Sequence, residues 1–267
     1  MKIYLIADIE GTCNFTHIEE GEQGGSLYPY FCKQMTREVS SACIGALKMR
    51  AKDILVHDAH GCSRNIVPDM LPNKVRLMRQ AGGDPLAMLS GADKEDFDAV
   101  FMTGFHAPAG SNGCPVAHTF NRKTSKILLN GQILSEFMHD AYSASYLGLP
   151  VPFVSGDKEV CEIAKELIPN ITAVQTVEGI GAGTISMHPD KAVQKIEEGV
   201  EKALSGDWKS CKATLPNHFK LTITYLKHQD AFYNSFYPNV KQIDANTIEF
   251  ETDNWFEVLR AVHYVLK

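Results

Sequence analysis

Apolar residues along the chain follow two rhythms. Short unbroken runs recur, as at Ile3, Tyr4, Leu5, Ile6 and Ala7 or Ile54, Leu55 and Val56, and between them apolar residues return every three or four positions. Unbroken runs of this length suit strands buried on both faces, and the 3.6-residue period suits helices laid against them. The pattern predicts strands over 2–7, 53–57, 98–104 and 151–155. A helix is predicted over 34–50, with Met35, Val39, Ala42, Ala46 and Met49 on one face. Another is predicted over 157–168, with Asp157 as N-cap and Val160, Ile163, Ala164 and Leu167 buried. Strands alternating with helices in this way are the mark of parallel β-α-β units.

Two stretches depart from that alternation. Over 119–131, Phe120, Ile127 and Leu129 flank the polar segment 121–125, which predicts a β-hairpin, followed by a helix over 132–146. Beyond about residue 170 a helix opening at Pro189 carries Ala192, Val193, Ile196, Val200 and Ala203 on one face. Alternating strands follow over 220–225 and 247–251. A last helix begins where Asn254 and Glu257 have capping-box spacing, with Phe256, Leu259, Val262 and Leu266 behind them. The expected fold is α/β. Residues 1–185 form a doubly wound, mostly parallel sheet domain, and 186–267 a smaller two-layer α+β region against which the 119–131 hairpin packs. No internal repeat is evident.

Composition narrows the function classes. With 267 residues, 44% of them hydrophobic and 22% charged, the chain can bury a substantial core. Its 26 basic and 32 acidic residues leave a net charge of −6, and basic runs such as Arg122-Lys123 are short, so no nucleic-acid partner is expected. No apolar run approaches the roughly 18 residues of a membrane span, so no membrane partner is expected. The run from Ile3 to Ala7 is also shorter than the ~7–15 apolar residues of a secretion signal. The seven cysteines are odd in number and contain no Cys-x-x-Cys pair. That argues against a thiolate zinc knuckle or a full disulfide framework and makes the reducing cytoplasm the expected location.

Ligands of open α/β sheets sit beyond the carboxyl ends of the strands. The first predicted strand runs into Asp8-Ile9-Glu10-Gly11, the second into His57-Asp58-Ala59-His60-Gly61 and the third into Thr103-Gly104-Phe105-His106. Mixed imidazole and carboxylate donors suit zinc, manganese or iron better than magnesium or calcium. Each residue also has an ordinary reading, the aspartates as turn formers and the histidines as satisfied core residues. Three strand ends in agreement keep the metal reading beside it. Gly179-Ile180-Gly181-Ala182-Gly183 lacks the full Gly-x-Gly-x-x-Gly pattern and reads as a turn between a strand and a helix that lines a substrate pocket. Cys114, four residues before His118, reads as a buried inert thiol. With no Gly-x-Ser-x-Gly elbow, a serine hydrolase has no support.

These motifs, taken with His118, Asn130-Gly131, Ser135-Glu136 and Val154-Ser155-Gly156-Asp157 in the same order, resemble the M55 family of metallo-aminopeptidases. The resemblance runs from the first strand to about residue 170 and is looser beyond. It implies two zinc ions per chain, or manganese or another divalent transition metal, held by Asp8, Glu10, His60, His106 and Glu136 with Asp8 bridging. It implies that His118 is catalytic, and it leaves Asp58 and Asp157 as residues that orient ligands or cap helices. The implied activity is hydrolysis of the N-terminal residue of short peptides or aminoacyl amides, D-configured ones included, by a ring-like homo-oligomer. A di-metal amidase acting on a non-peptide amide, and a non-catalytic peptide- or metal-binding protein, are the alternatives. One departure concerns specificity. The loop before Pro189, where the family often carries basic residues, has none between Glu178 and Thr184. Aminoacyl amides are therefore expected to be cleaved at least as well as free dipeptides, with Arg122 or Lys123 as the candidate anchors if free dipeptides prove better. The acidic segment 14–30, with Glu19, Glu20 and Glu22, is a candidate lid or selector of basic substrates.

Overall fold

The computed structural model describes residues 1–267. In chain order the first elements are β1 (Lys2–Ala7), α1 (Tyr28–Lys48), β2 (Asp53–Asp58), β3 (Val75–Arg79) and β4 (Ala99–Phe105). Then come β5 (Thr124–Leu129), β6 (Gln132–Ile133), α2 (Glu136–Tyr146), β7 (Phe153–Asp157), α3 (Lys158–Leu167), β8 (Thr172–Ile180) and β9 (Gly183–Ser186). The chain closes with α4 (Pro189–Ser205), β10 (Phe219–Tyr225), α5 (His228–Asn234), β11 (Val240–Gln242), β12 (Thr247–Thr252) and α6 (Trp255–Val265).

A seven-stranded sheet in the order β3-β2-β1-β4-β7-β8-β9 is parallel except for the β8–β9 hairpin. Alternate residues of β1 serve opposite faces, as the two-residue strand period requires. Ile3, Leu5 and Ala7 share a core with Met35, Val39 and Ala42 of α1 and Ile196 and Val200 of α4. Tyr4 and Ile6 share the other core with Phe137 and Ala141 of α2 and Val160 of α3. From β1 the chain winds outward to β2 and β3, then returns to place β4 on the opposite side of β1. This reversal opens a crevice beyond the carboxyl ends of β1 and β4, where sheets of this type bind ligands.

A second, antiparallel sheet in the order β11-β12-β10-β5-β6 packs with α5 and α6. Its Leu221, Ile223 and Phe250 belong to the same continuous core as α2, and Trp255 Nε1–H donates to Ser143 Oγ at 3.2 Å. The α/β class and the doubly wound sheet match the sequence reading. Several elements fall elsewhere. The helix at Pro189 covers the large sheet beside α1, where a Cβ on Gly45 would stand 2.8 Å from the Glu197 carbonyl oxygen. Residue 186 is therefore not where the layers change; the second sheet takes its strands from 124–133 and from 219 onward. The hairpin turn lies at Asn130 and Gly131, both at positive φ (51° and 83°), instead of at 121–125. Asn-Gly adopts this left-handed pair of conformations readily, so the tight turn forms there. Residues 132–133 are consequently strand, and α2 starts only at Glu136, capped by Ser135 Oγ accepting from the Met138 N–H. The glycine-rich segment 179–183 is the tip of the β8–β9 hairpin and not a strand-to-helix turn. Asn254 caps α6 by accepting from the Phe256 N–H, while Glu257 pairs with Arg260 in place of closing a capping box.

Candidate metal centre

The crevice is built by chain segments that cross closely. Asp8 N–H donates to the Thr103 carbonyl at 2.9 Å and Gly11 N–H to the Gly104 carbonyl at 2.8 Å, so the exits of β1 and β4 run side by side. Only glycine serves at 104. Its φ is +72°, and a Cβ there would lie 2.1 Å from the Asp8 carbonyl oxygen. His60 sits on a loop gathered by Asp58, whose carboxylate accepts from the Asn65 and Ile66 N–H groups (2.7 and 2.9 Å) and from Asn65 Nδ2 (2.7 Å). Asp157 holds the residue after His106, accepting from the Ala107 N–H at 2.5 Å while its other oxygen caps α3 through the Val160 N–H. Glu136, the first residue of α2, accepts from the Phe120 N–H at 2.6 Å.

All six expected site residues meet in one cleft of about 560 Å³. Each of its three imidazoles commits one nitrogen to a backbone carbonyl: His60 Nε2–H to Gly21 (3.0 Å), His106 Nδ1–H to Ala107 (2.9 Å) and His118 Nδ1–H to Val116 (2.8 Å). In the neutral tautomers these contacts imply, the opposite nitrogens are bare, and all three face carboxylates. His60 Nδ1 is 3.2 Å from Asp8 Oδ1 and 2.9 Å from Glu10 Oε2. His106 Nε2 is 3.7 Å from Asp8 Oδ2 and 3.6 Å from Glu136 Oε1. His118 Nε2 is 3.8 Å from Glu10 Oε1 and 4.0 Å from Glu136 Oε1, its ring stacked on His106 at 4.4 Å between centroids.

A bare imidazole nitrogen and a carboxylate oxygen are both acceptors and repel unless a proton or cation lies between them. Glu10 Oε2 and His106 Nε2 are buried without a hydrogen-bond partner, an orphaning that a cation would relieve. Donor atoms bound to one tetrahedral zinc at 2.0–2.2 Å stand roughly 3.3 Å apart. Three triples here approach that spacing, with donor atoms within 4.8 Å of one another: Asp8–Glu10–His60, Asp8–His106–Glu136 and Glu10–His106–His118. The residues fit a divalent cation, and the first two triples share Asp8. Backbone carbonyls that fix an imidazole's tautomer, as Gly21, Ala107 and Val116 do here, are the usual companions of metal-binding histidines.

A family model described as M55 peptidase, D-aminopeptidase, matches residues 1–264. The chain belongs to the M55 peptidase family. D-aminopeptidase of Bacillus subtilis (strain 168) is 26% identical to it over 266 residues, 98% of this chain and 95% of that protein. The solved structure of the Zn-dependent D-aminopeptidase DppA from Bacillus subtilis, described as a self-compartmentalizing protease, superposes with a TM-score of 0.91 at 24% identity, covering 100% of this chain and 97% of that one. That superposition shows the shared fold.

The electrostatics of this M55 chain explain why its cluster wants positive charge. Burial, and next the charge of Glu10, push the Asp8 carboxyl up to about 8. Burial also opposes ionisation of Glu10 and Glu136, yet His60 holds Glu10 well below the usual range and His106 holds Glu136 below it. The same burial disfavours imidazolium at His60 and His106, and the surrounding carboxylates outweigh it, raising both well above normal. Three buried carboxylates thus gather protons wherever they find no cation, and a divalent ion would displace those protons. Gly21, Asn65 and the Phe120 N–H complete the site with backbone or amide groups that no sequence motif announces.

Proposed function

We propose that this M55 peptidase removes the N-terminal residue of short peptides or aminoacyl amides, D-configured ones included, using two zinc ions held by Asp8, Glu10, His60, His106 and Glu136. The observation that carries this reading is the pair of donor triples sharing Asp8, with bare imidazole nitrogens presented to them. Zinc bound there would polarise the scissile carbonyl and bring the pKa of a water toward neutrality. The chain's own groups do the rest. Asp8 has an oxygen in both triples, so it would hold both ions. His118, its ring oriented by the Val116 carbonyl, turns its bare Nε2 into the cleft, where it can take up the proton that the attacking water gives up and pass it to the leaving amine. Asp58 and Asp157 hold the backbone on which His60 and His106 stand. Zinc dependence and D-specificity are named for the Bacillus subtilis relative, and both support the reading.

Elemental analysis after zinc loading, followed by matched D- and L-aminoacyl amides, tests this. Two zinc ions per chain and turnover of D-alanyl amides are expected. One ion or none would sink the dinuclear centre, and two ions without hydrolysis of any amide would sink the aminopeptidase. A ring-like homo-oligomer belongs to the same proposal. It is supported by the relative's self-compartmentalizing description and by Phe232, Tyr233, Phe236 and Tyr264, exposed together on α5, α6 and the turn after α5. A stable monomer in light scattering would remove it. No helix is long and apolar enough to cross a membrane, and all seven cysteines are unpaired, which supports the cytoplasm as its location; recovery in a secreted fraction would count against that.

A further inference from the structure

We infer that Arg122 is the docking group for the free α-carboxylate of a short peptide substrate, held ready across the cleft mouth by Glu22. This rests on the aminopeptidase reading and names what its substrate must carry. The two walls of the cleft are tied to the metal centre independently. On one wall Gly21 accepts from His60 Nε2–H at 3.0 Å, and Glu22 is the next residue. On the other the Phe120 N–H donates to Glu136 at 2.6 Å, and Arg122 follows two residues on, with its Cα within about 7 Å of that of Phe120. Arg122 Nη2 donates to Glu22 Oε1 at 2.6 Å, so the pair joins the walls over the centre.

The bond leaves most of the guanidinium free. Only Nη2 is engaged, through one carboxylate oxygen, out of five N–H donors arranged to grip a carboxylate in bidentate fashion. Both partners are about half exposed, so the pair does little for folding stability. Arg122 and Ile18 also border a second cavity of about 580 Å³, lined beyond them by Pro115, Val116 and Ala182. A peptide whose amino end lies at the centre therefore passes Arg122 on its way to that cavity. A dipeptide brings its carboxylate about 3.8 Å, one residue, past the scissile bond. Lys123, the other basic residue of the cleft, gives one of its three Nζ–H donors to the Lys267 carbonyl at 2.7 Å and lacks the planar fork that grips a carboxylate in bidentate fashion. A cationic anchor at this point reverses the expectation that blocked C-termini are cleaved as well as free ones.

The test compares kcat/KM for D-alanyl-glycine and D-alanyl-glycinamide in the zinc-loaded full chain. The wild type is expected to prefer the free acid. Arg122→Ala should lower the acid-to-amide ratio roughly 10- to 100-fold, chiefly through KM, as loss of a charge-assisted carboxylate contact would. Arg122→Lys should restore part of the ratio, and Glu22→Gln should keep the acid preference. Equal losses on both substrates, or an unchanged ratio, would overturn the assignment. Calorimetric titration with the reduced-amide isosteres of the two ligands reads the same preference without turnover. If the wild type cleaves neither substrate the aminopeptidase reading fails, and the effect of Arg122→Ala on acid-isostere affinity still decides the role of Arg122.

Discussion

His118, partly buried, and Glu38, fully buried, show how position gives two polar side chains different work. His118 was legible as a site residue only through its place in the motif order; its stacking on His106 and its approach to Glu10 come from the fold. His118→Ala should keep two zinc ions and the fold while kcat falls by roughly 10²–10⁴, the range of a lost proton-transfer group. Loss of an ion in that variant, by elemental analysis, would move His118 among the ligands. Glu38 drew no attention in the sequence because one acid on an amphipathic helix is ordinary. In the structure it is buried, accepting from the Cys13 N–H (3.0 Å) and Gln34 Nε2 (2.9 Å), and burial pushes its carboxyl up to about 7. A carboxyl whose folded pKa exceeds its unfolded one stabilises the protein in its protonated state, and that stability drains away as pH rises from about 4.5 to about 7. Glu38→Gln should therefore raise stability at pH 8 relative to pH 4 by about 1–3 kcal/mol, read from denaturant titrations at the two pH values. An equal effect at both would refute the shift.

Elements were legible where burial was one-sided or complete. The central strands read correctly because parallel strands covered on both faces must be nearly all apolar, and β1 is. The edge strand β3, half exposed, carries no such run and went unread, as did the short α5 and β11. The hairpin turns at Asn130-Gly131 and not in the polar segment 121–125, because Asn-Gly adopts the left-handed turn conformation and polarity alone does not specify a turn. At this scale Gly104 controls the site. Gly104→Ala should force the β1 and β4 exits apart, since a Cβ has neither a suitable φ nor room beside the Asp8 carbonyl. The expected result is zinc affinity reduced at least tenfold in a chelator competition together with a lowered melting temperature. Wild-type affinity would show that the crossing does not govern the centre.

The whole molecule brings its five candidate donors together from four separate segments: the β1 exit, the loop after β2, the β4 exit and the start of α2. A ligand bound only by the folded state stabilises it by about 2.7 kcal/mol at a free concentration a hundred times its Kd. Stripping zinc with a chelator should lower the calorimetric melting temperature, and restoring zinc should return it; no change would mean the cation does not bridge these segments. The sequence by itself determined the α/β class and the buried central strands, and it put Asp8, Glu10, His60 and His106 at strand ends as candidate donors, because strand burial and ligand chemistry act through residue type and local spacing. Glu136 and His118 are candidates only through the family resemblance. Tertiary structure alone decided that α4 belongs to the large sheet, that the second layer shares its core with α2, and that Arg122 meets Glu22 across the cleft. Those outcomes depend on which distant faces close against one another. Residues about a hundred positions apart carry no mark of their meeting until the sheet's topology brings them to one crevice.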